Sequence, residues 1–142
     1  MSEKGESFKT LIVAYDDTPA SKRALERAAE LAEVFGGQVF VVSVVPITYG
    51  IRGGPYDTVD TKERHGEHLA NARAFLESRK LEAGFIEGIG DPGDTIVDVA
   101  ENKGAQLIVI GSRALSSLER VLGQSVSSYV QRNTRCDVLC VH

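Results

Sequence analysis

The stretch from Leu107 to Val126, LIVIGSRALSSLERVLGQSV, decides the fold. Its apolar run, Leu107-Ile108-Val109-Ile110, stops on Gly111 and gives way to a serine-rich loop. The loop ends on Gly123-Gln124-Ser125, where another amphipathic segment begins. A continuous aliphatic run of this length suits a strand covered on both faces, as in a parallel sheet between two helical layers. A glycine at its end lets a ligand come close, or else makes a tight turn after the strand. The loop then feeds a helix N-terminus, whose N–H groups and positive dipole end favour anions. If the chain has a small-molecule site, it is expected here.

Working outward, the same alternation recurs. Thr10 to Tyr15 (TLIVAY) reads as a buried strand and ends in Asp16-Asp17-Thr18-Pro19. Thr18 is a good helix cap, and Pro19 fits the first helical position. Leu25, Ala28, Ala29, Ala32 and Phe35 form the inward stripe of the helix that follows, which Gly36-Gly37 ends. Gln38 to Val45 is a second strand, stopped by Pro46. Residues 46–60, PITYGIRGGPYDTVD, read as a long exposed loop. A helix from about Lys62 to Leu81 follows, with Leu69, Ala72, Phe75 and Leu76 inward and its first turns weakened by Gly66. Gly84 to Ile89 is a strand, Gly90-Asp91-Pro92-Gly93 a turn, and Asp94 to Asn102 a short helix carrying Ile96, Val99 and Ala100. The strand Gln106–Ile110, a helix of about Ser125 to Arg132 and a last strand, Asp137–Val141, complete the series. Alternating strands and helices predict a Rossmann-like α/β fold: one five-stranded parallel sheet with helices on both faces and right-handed crossovers. Residues 1–142 read as a single domain, with 1–8 a flexible tail. Ligands of such sheets bind outside the strand carboxyl ends, here Asp16, Val44-Val45, Gly90 and Gly111.

Composition narrows the function. Sixteen Lys and Arg against twenty Asp and Glu give a net charge of -4, which disfavours nucleic acid as a partner. No apolar run approaches the roughly 18–20 residues of a membrane span. The opening MSEKGESF lacks the apolar core of a signal peptide, so the chain reads as cytoplasmic. Cys136 and Cys140, four apart in RCDVLCVH, share one face of a strand, too far apart to bond, and read as small buried hydrophobes. Nothing completes a zinc site with His142. His65 and His68 are expected to face solvent. The chain has no nucleophile elbow and no Walker-type lysine, so no catalytic residue is assigned.

Three segments then take on meaning together: VAYDDTPASKRAL after the first strand, GDPGDTIVDVAENKGAQLIVIGSRALSSLERV, and SVSSYVQRNTRCDVLCV at the end. In this order they resemble a universal stress protein domain over about residues 8–142. The resemblance implies the five-stranded sheet of the adenine nucleotide alpha hydrolase-like group and a homodimer paired through the last strands. In one branch of the family it also implies bound ATP, with Mg²⁺ accompanying it. The contacts it implies begin with Asp16 holding the adenosine and Val44 bordering the adenine. Ala14 lies beside them, and Ile110 with Gly111 forms the third region.

The fourth region is a phosphate-binding loop. The family motif runs Gly, two residues, Gly, nine residues, Gly, then Ser or Thr. Gly111 fits, Ala114 stands at the second glycine, Gln124 at the third, and Ser125 is correct, with Gly123 one place early. A methyl at Ala114 costs on the order of 1 kcal/mol if its φ is positive. A side chain at Gln124 would take space a phosphate needs, while Gly123 would let the loop shift by one residue. Ser125, Val126 and Arg113, with Arg120 nearby, could still meet phosphate oxygens. Three readings stay open: a nucleotide-binding regulatory or protective module of the stress response, a slow nucleotide-hydrolysing enzyme, or a protein-interaction dimer without nucleotide. The final strand DVLCV, guarded only by Asp137, is expected at a sheet edge where a second copy can pair.

Overall fold

Five strands lie side by side and parallel in one sheet: β1 (Thr10–Ala14), β2 (Gln38–Val45), β3 (Ala83–Ile89), β4 (Leu107–Gly111) and β5 (Asp137–Val141). The computed structural model describes residues 8–45, 58–112 and 126–142, with side chains from 66 onward in the second stretch. The strand order is β3-β2-β1-β4-β5. From β1 the chain therefore steps one way to β2 and β3, then returns to the other side for β4 and β5. The order reverses between β1 and β4, which opens a crevice at their carboxyl ends.

The apolar runs explain the layering. Leu11, Ile12 and Val13 are fully buried because consecutive side chains point into opposite layers. Leu11, Val13 and Tyr15, with Val39, Val41, Leu107 and Val109, meet α1 (Pro19–Phe35) and α2 (Thr58–Ser78). Ile12, Ala14, Val42, Val44, Ile108 and Ile110 meet α3 (Pro92–Lys103) and α4 (Val126–Asn133). Gly93 makes the α3–α4 contact feasible, since a Cβ there would stand 2.5 Å from Tyr129 Cδ1. The Tyr129 hydroxyl donates to Asp94 on the facing helix.

Caps set the helix ends. Thr18 accepts from Ser21 N at 3.3 Å, Pro19 takes the first turn, and Gly36 closes α1 at φ 69°. α3 starts two residues earlier than the sequence pattern predicts, because Asp91 caps Asp94 N at 2.9 Å and Pro92 fills the first turn. α2 begins at Thr58, so positions 58–60 belong to a helix and not to the expected loop; residues 46–57 lie outside the described ones. Phe35, expected in the inward stripe, is 46 % exposed. Its ring meets Phe8 edge-on at 5.3 Å, which draws Phe8 out of the expected tail and onto the core.

Gly66 lies inside α2, where an added methyl would meet nothing within 4 Å and φ is not positive. Gly66→Ala is therefore expected to stabilise the fold by about 0.5–1 kcal/mol in urea denaturation, by removing unfolded-state freedom. An unchanged midpoint would mean that this turn of the helix is not formed in solution.

β5 occupies the sheet edge, as its sequence suggested. Asp137 N donates to Gln106 O at 3.2 Å and Val141 O accepts from Ser112 N at 2.8 Å, so these residues bond toward β4. Val138 and Cys140 alternate with them and direct their backbone groups to the open edge. Cys136 and Cys140 are free, half-buried and packed against the same cluster under α3 and α4.

Candidate functional site

The crevice between β1 and β4 is built first from the turn that leaves β1. Asp16 Oδ1 accepts from Thr18 N at 3.2 Å and from Thr18 Oγ1 at 2.6 Å, and its own N–H donates to Ser21 Oγ at 3.2 Å. Asp16 thus stands at the strand end, half-buried, and braces the start of α1. Its neighbour Asp17, expected only to help cap the helix, has a larger part. Asp17 adopts φ 66°, a left-handed conformation that L residues rarely take. Two side chains hold it there: Tyr15 Oη donates to Oδ1 at 2.5 Å, and Asn71 Nδ2, from α2, donates to Oδ2 at 3.0 Å.

Charge follows this geometry. Burial acts to raise the Asp17 carboxyl, but the hydrogen bonds from Tyr15 and Asn71 and the charges of Lys22 and His68 outweigh it and leave it below its ordinary value. Burial, then the bond to Asp17, pushes the Tyr15 phenol far up. His68, expected to face solvent, is half-buried, and its charge acts on Asp17. A carboxyl lowered by folding contributes stability above its unfolded pKa and loses it as pH falls through the folded value. Tyr15→Phe is therefore expected to cost stability at neutral pH, with the gap to wild type narrowing below about pH 4. Urea midpoints measured across pH check this; a gap constant down to acid pH would contradict it.

β4 supplies the other wall. Gly111 is the last residue of the strand and has no positive φ, so it is not a turn glycine. A Cβ there would meet Ala20 C at 2.7 Å and Ala20 O at 2.8 Å. The backbone approaching Gly111 is that of α1, and this contact draws the start of α1 against the end of β4.

Of the other residues expected at the site, Ala14, Val44, Ile110 and Val126 come together in one cluster on the α3 and α4 face. Ile110 is fully enclosed, so its side chain serves the core and not a ligand, whereas Ala14, Val44 and Val126 keep slight exposure at 4–6 %. Val126 opens α4, at the positive end of that helix. Arg113, Ala114, Gly123, Gln124 and Ser125, with Arg120, lie outside the described residues. Tyr15, Asn71 and His68 were missed by sequence reasoning. A tyrosine and two acids directly after a buried strand were a local signal; Asn71, 54 positions from Asp17, left none.

A cavity of about 480 Å³ opens at the opposite end of the sheet, among Glu101, Gly104, Gln106, Arg135, Cys136 and Asp137. Its wall is structural: Gln106 Oε1 accepts from Lys9 N and Thr10 N, and Nε2 donates to Gly104 O. Topology favours the carboxyl end for function.

Known proteins agree with this architecture. The family model described as the Universal stress protein family matches residues 7–142. A universal stress protein of Bacillus subtilis is 32 % identical over 147 residues, covering 94 % of this chain and 99 % of that protein. One from Methanocaldococcus jannaschii is 30 % identical over 141 residues, covering 94 % of this chain and 82 % of that protein. Among solved structures, a universal stress protein family member from Burkholderia pseudomallei superposes with a TM-score of 0.77 at 25 % identity, covering 94 % of this chain and 96 % of that one. The universal stress protein of Archaeoglobus fulgidus in complex with dAMP gives a TM-score of 0.74 at 27 % identity, covering 95 % of this chain and 98 % of that one. With the parallel sheet, its reversal point and these full-length likenesses in agreement, the chain belongs to the universal stress protein family.

Proposed function

We propose that this protein is a stress-response module that holds an adenine nucleotide in the crevice between the ends of β1 and β4. The observation carrying this reading is the half-buried Asp16 at the strand-order reversal, with the buried apolar side chains of Ala14 and Val44 at the neighbouring strand ends. An acid there suits ribose hydroxyls, and small apolar residues suit the face of a purine. The related protein of Archaeoglobus fulgidus, seen in complex with dAMP, supports the same class of ligand. Gly111, Val126 and the motif residues Arg113, Ala114, Gly123, Gln124 and Ser125 are assigned to the phosphate end. Among the described residues, no three His, Cys, Asp or Glu side chains converge on one point. Mg²⁺ arriving with ATP is assigned to the phosphate oxygens, with water and at most one or two carboxylates completing its shell.

The protein is further read as a cytoplasmic homodimer paired through β5. Val138 and Cys140 offer backbone groups at the open edge, and two free thiols suit a reducing compartment. Among the described residues, no helix is long and apolar enough to cross a membrane.

A second reading rests on the bonds from Thr18 to Asp16, which give that carboxylate a structural task even without ligand. Thermal unfolding separates the two. ATP with Mg²⁺, or AMP, is expected to raise the melting temperature with concentration, reaching about 2.7 kcal/mol at a hundred times Kd. No rise at millimolar nucleotide leaves the interaction module, and light scattering at a monomer mass removes the dimer.

A further inference from the structure

We propose that Asp17 is a positioning residue for the nucleotide site: clamped by Tyr15 from the end of β1 and Asn71 from α2, it sets the turn that presents Asp16. The proposal rests on the nucleotide reading above and adds a residue and a helix to it. Asp17 lies in the left-handed region, which Asp enters more readily than most L residues but still seldom, and two side chains fix it there. Each of its carboxylate oxygens receives one hydrogen bond, from Tyr15 Oη at 2.5 Å and from Asn71 Nδ2 at 3.0 Å. Tyr15 is 5 % exposed and packed in the core beneath α1 and α2, so it is a fixed anchor. Asn71 is carried by α2, beside the buried Ala72 that, with Leu76, docks this helix on the sheet.

Asp16 directly precedes Asp17, and Thr18 directly follows it. Rotating the Asp17 backbone out of the left-handed region would therefore swing the Asp16 carboxylate relative to β4. The turn also carries the Thr18 cap, so the clamp fixes ligand acid and helix start together. Through Asn71 the position of α2 enters the affinity of a site that α2 need not touch.

The test is calorimetric titration of AMP into the full chain, with melting temperatures recorded beside it. Asp17→Ala is expected to weaken AMP binding about tenfold, and Tyr15→Phe and Asn71→Ala about threefold each. Asp17→Asn tolerates the left-handed region and still accepts from Tyr15, so it returns to within about threefold of wild type. Leu107→Ala, in the core at the amino end of β4, is expected to lower the melting temperature while leaving affinity within about twofold. AMP affinity unchanged in Asp17→Ala, Tyr15→Phe and Asn71→Ala overturns the proposal. So does an affinity loss in Leu107→Ala matching that of Asp17→Ala, because affinity would then only follow stability. Wild type that binds no AMP overturns the nucleotide reading itself and this proposal with it.

Discussion

Gly111→Ala is expected to destabilise the protein by roughly 1–3 kcal/mol, measured as the shift of a urea unfolding curve with unchanged slope. The added Cβ would lie 2.7 Å from the Ala20 carbonyl carbon and 2.8 Å from its oxygen. Both belong to the backbone, so no side chain can rotate away. β4 cannot retreat either, because Val109 and Ile110 are fully buried on its opposite faces. The strain must move α1, whose Ala24, Leu25 and Ala28 are packed on the sheet. Nucleotide affinity is expected to fall as well, since the two displaced segments flank one crevice. A loss below about 0.5 kcal/mol, the range of neutral surface changes, would show that α1 and β4 are not in such close contact in solution.

The second large effect is at Asp16. Removing the carboxylate in Asp16→Ala strips Thr18 of two hydrogen bonds and removes the acid assigned to the ribose. A hydrogen bond to a charged group contributes about 1.5–3 kcal/mol, so adenine nucleotide affinity is expected to fall by about ten- to a hundredfold. Stability is expected to fall too, by about 1 kcal/mol, through the weakened start of α1. Asp16→Asn separates the two tasks. Its Oδ1 still accepts from Thr18, so stability holds within about 0.5 kcal/mol while the charged contact to the ligand is lost. Calorimetric Kd values and urea midpoints for both variants check this. Full affinity in Asp16→Asn would mean that Asp16 is only a brace for the turn.

These two residues also mark how far the sequence could be read. Strand runs such as Leu107 to Ile110 and the cap Thr18-Pro19 declared their structure locally, because burial on two faces and helix initiation leave short-range patterns. The pair Asp91-Pro92 carried the same cap logic, yet the flanking Gly90 and Gly93 made it look like a turn. Phe35 fits the helical stripe by spacing but is nearly half exposed, a fact that depends on where the sheet ends and not on periodicity. Gly111 read as a place for a ligand's approach or a tight turn, and the backbone of Ala20, 91 positions earlier, which comes against it instead, left no trace in the sequence. The bond from Asn71 to Asp17 lay equally out of sight, since only the packing of α2 brings them together. The sequence could point to Asp16 and Val44 as strand-end residues, whereas the clamp around Asp17 exists only in the folded chain.

Backbone amide chemical shifts recorded during titration with AMP test the placement of the ligand most directly. The account predicts that the largest changes fall on Ala14 to Thr18 and on Gly111 and Ser112, at the carboxyl ends of β1 and β4. Gln106, Arg135 and Asp137, around the cavity at the other end of the sheet, should stay unmoved. Shifts centred on that far cavity, with Asp16 and Gly111 silent, would contradict it.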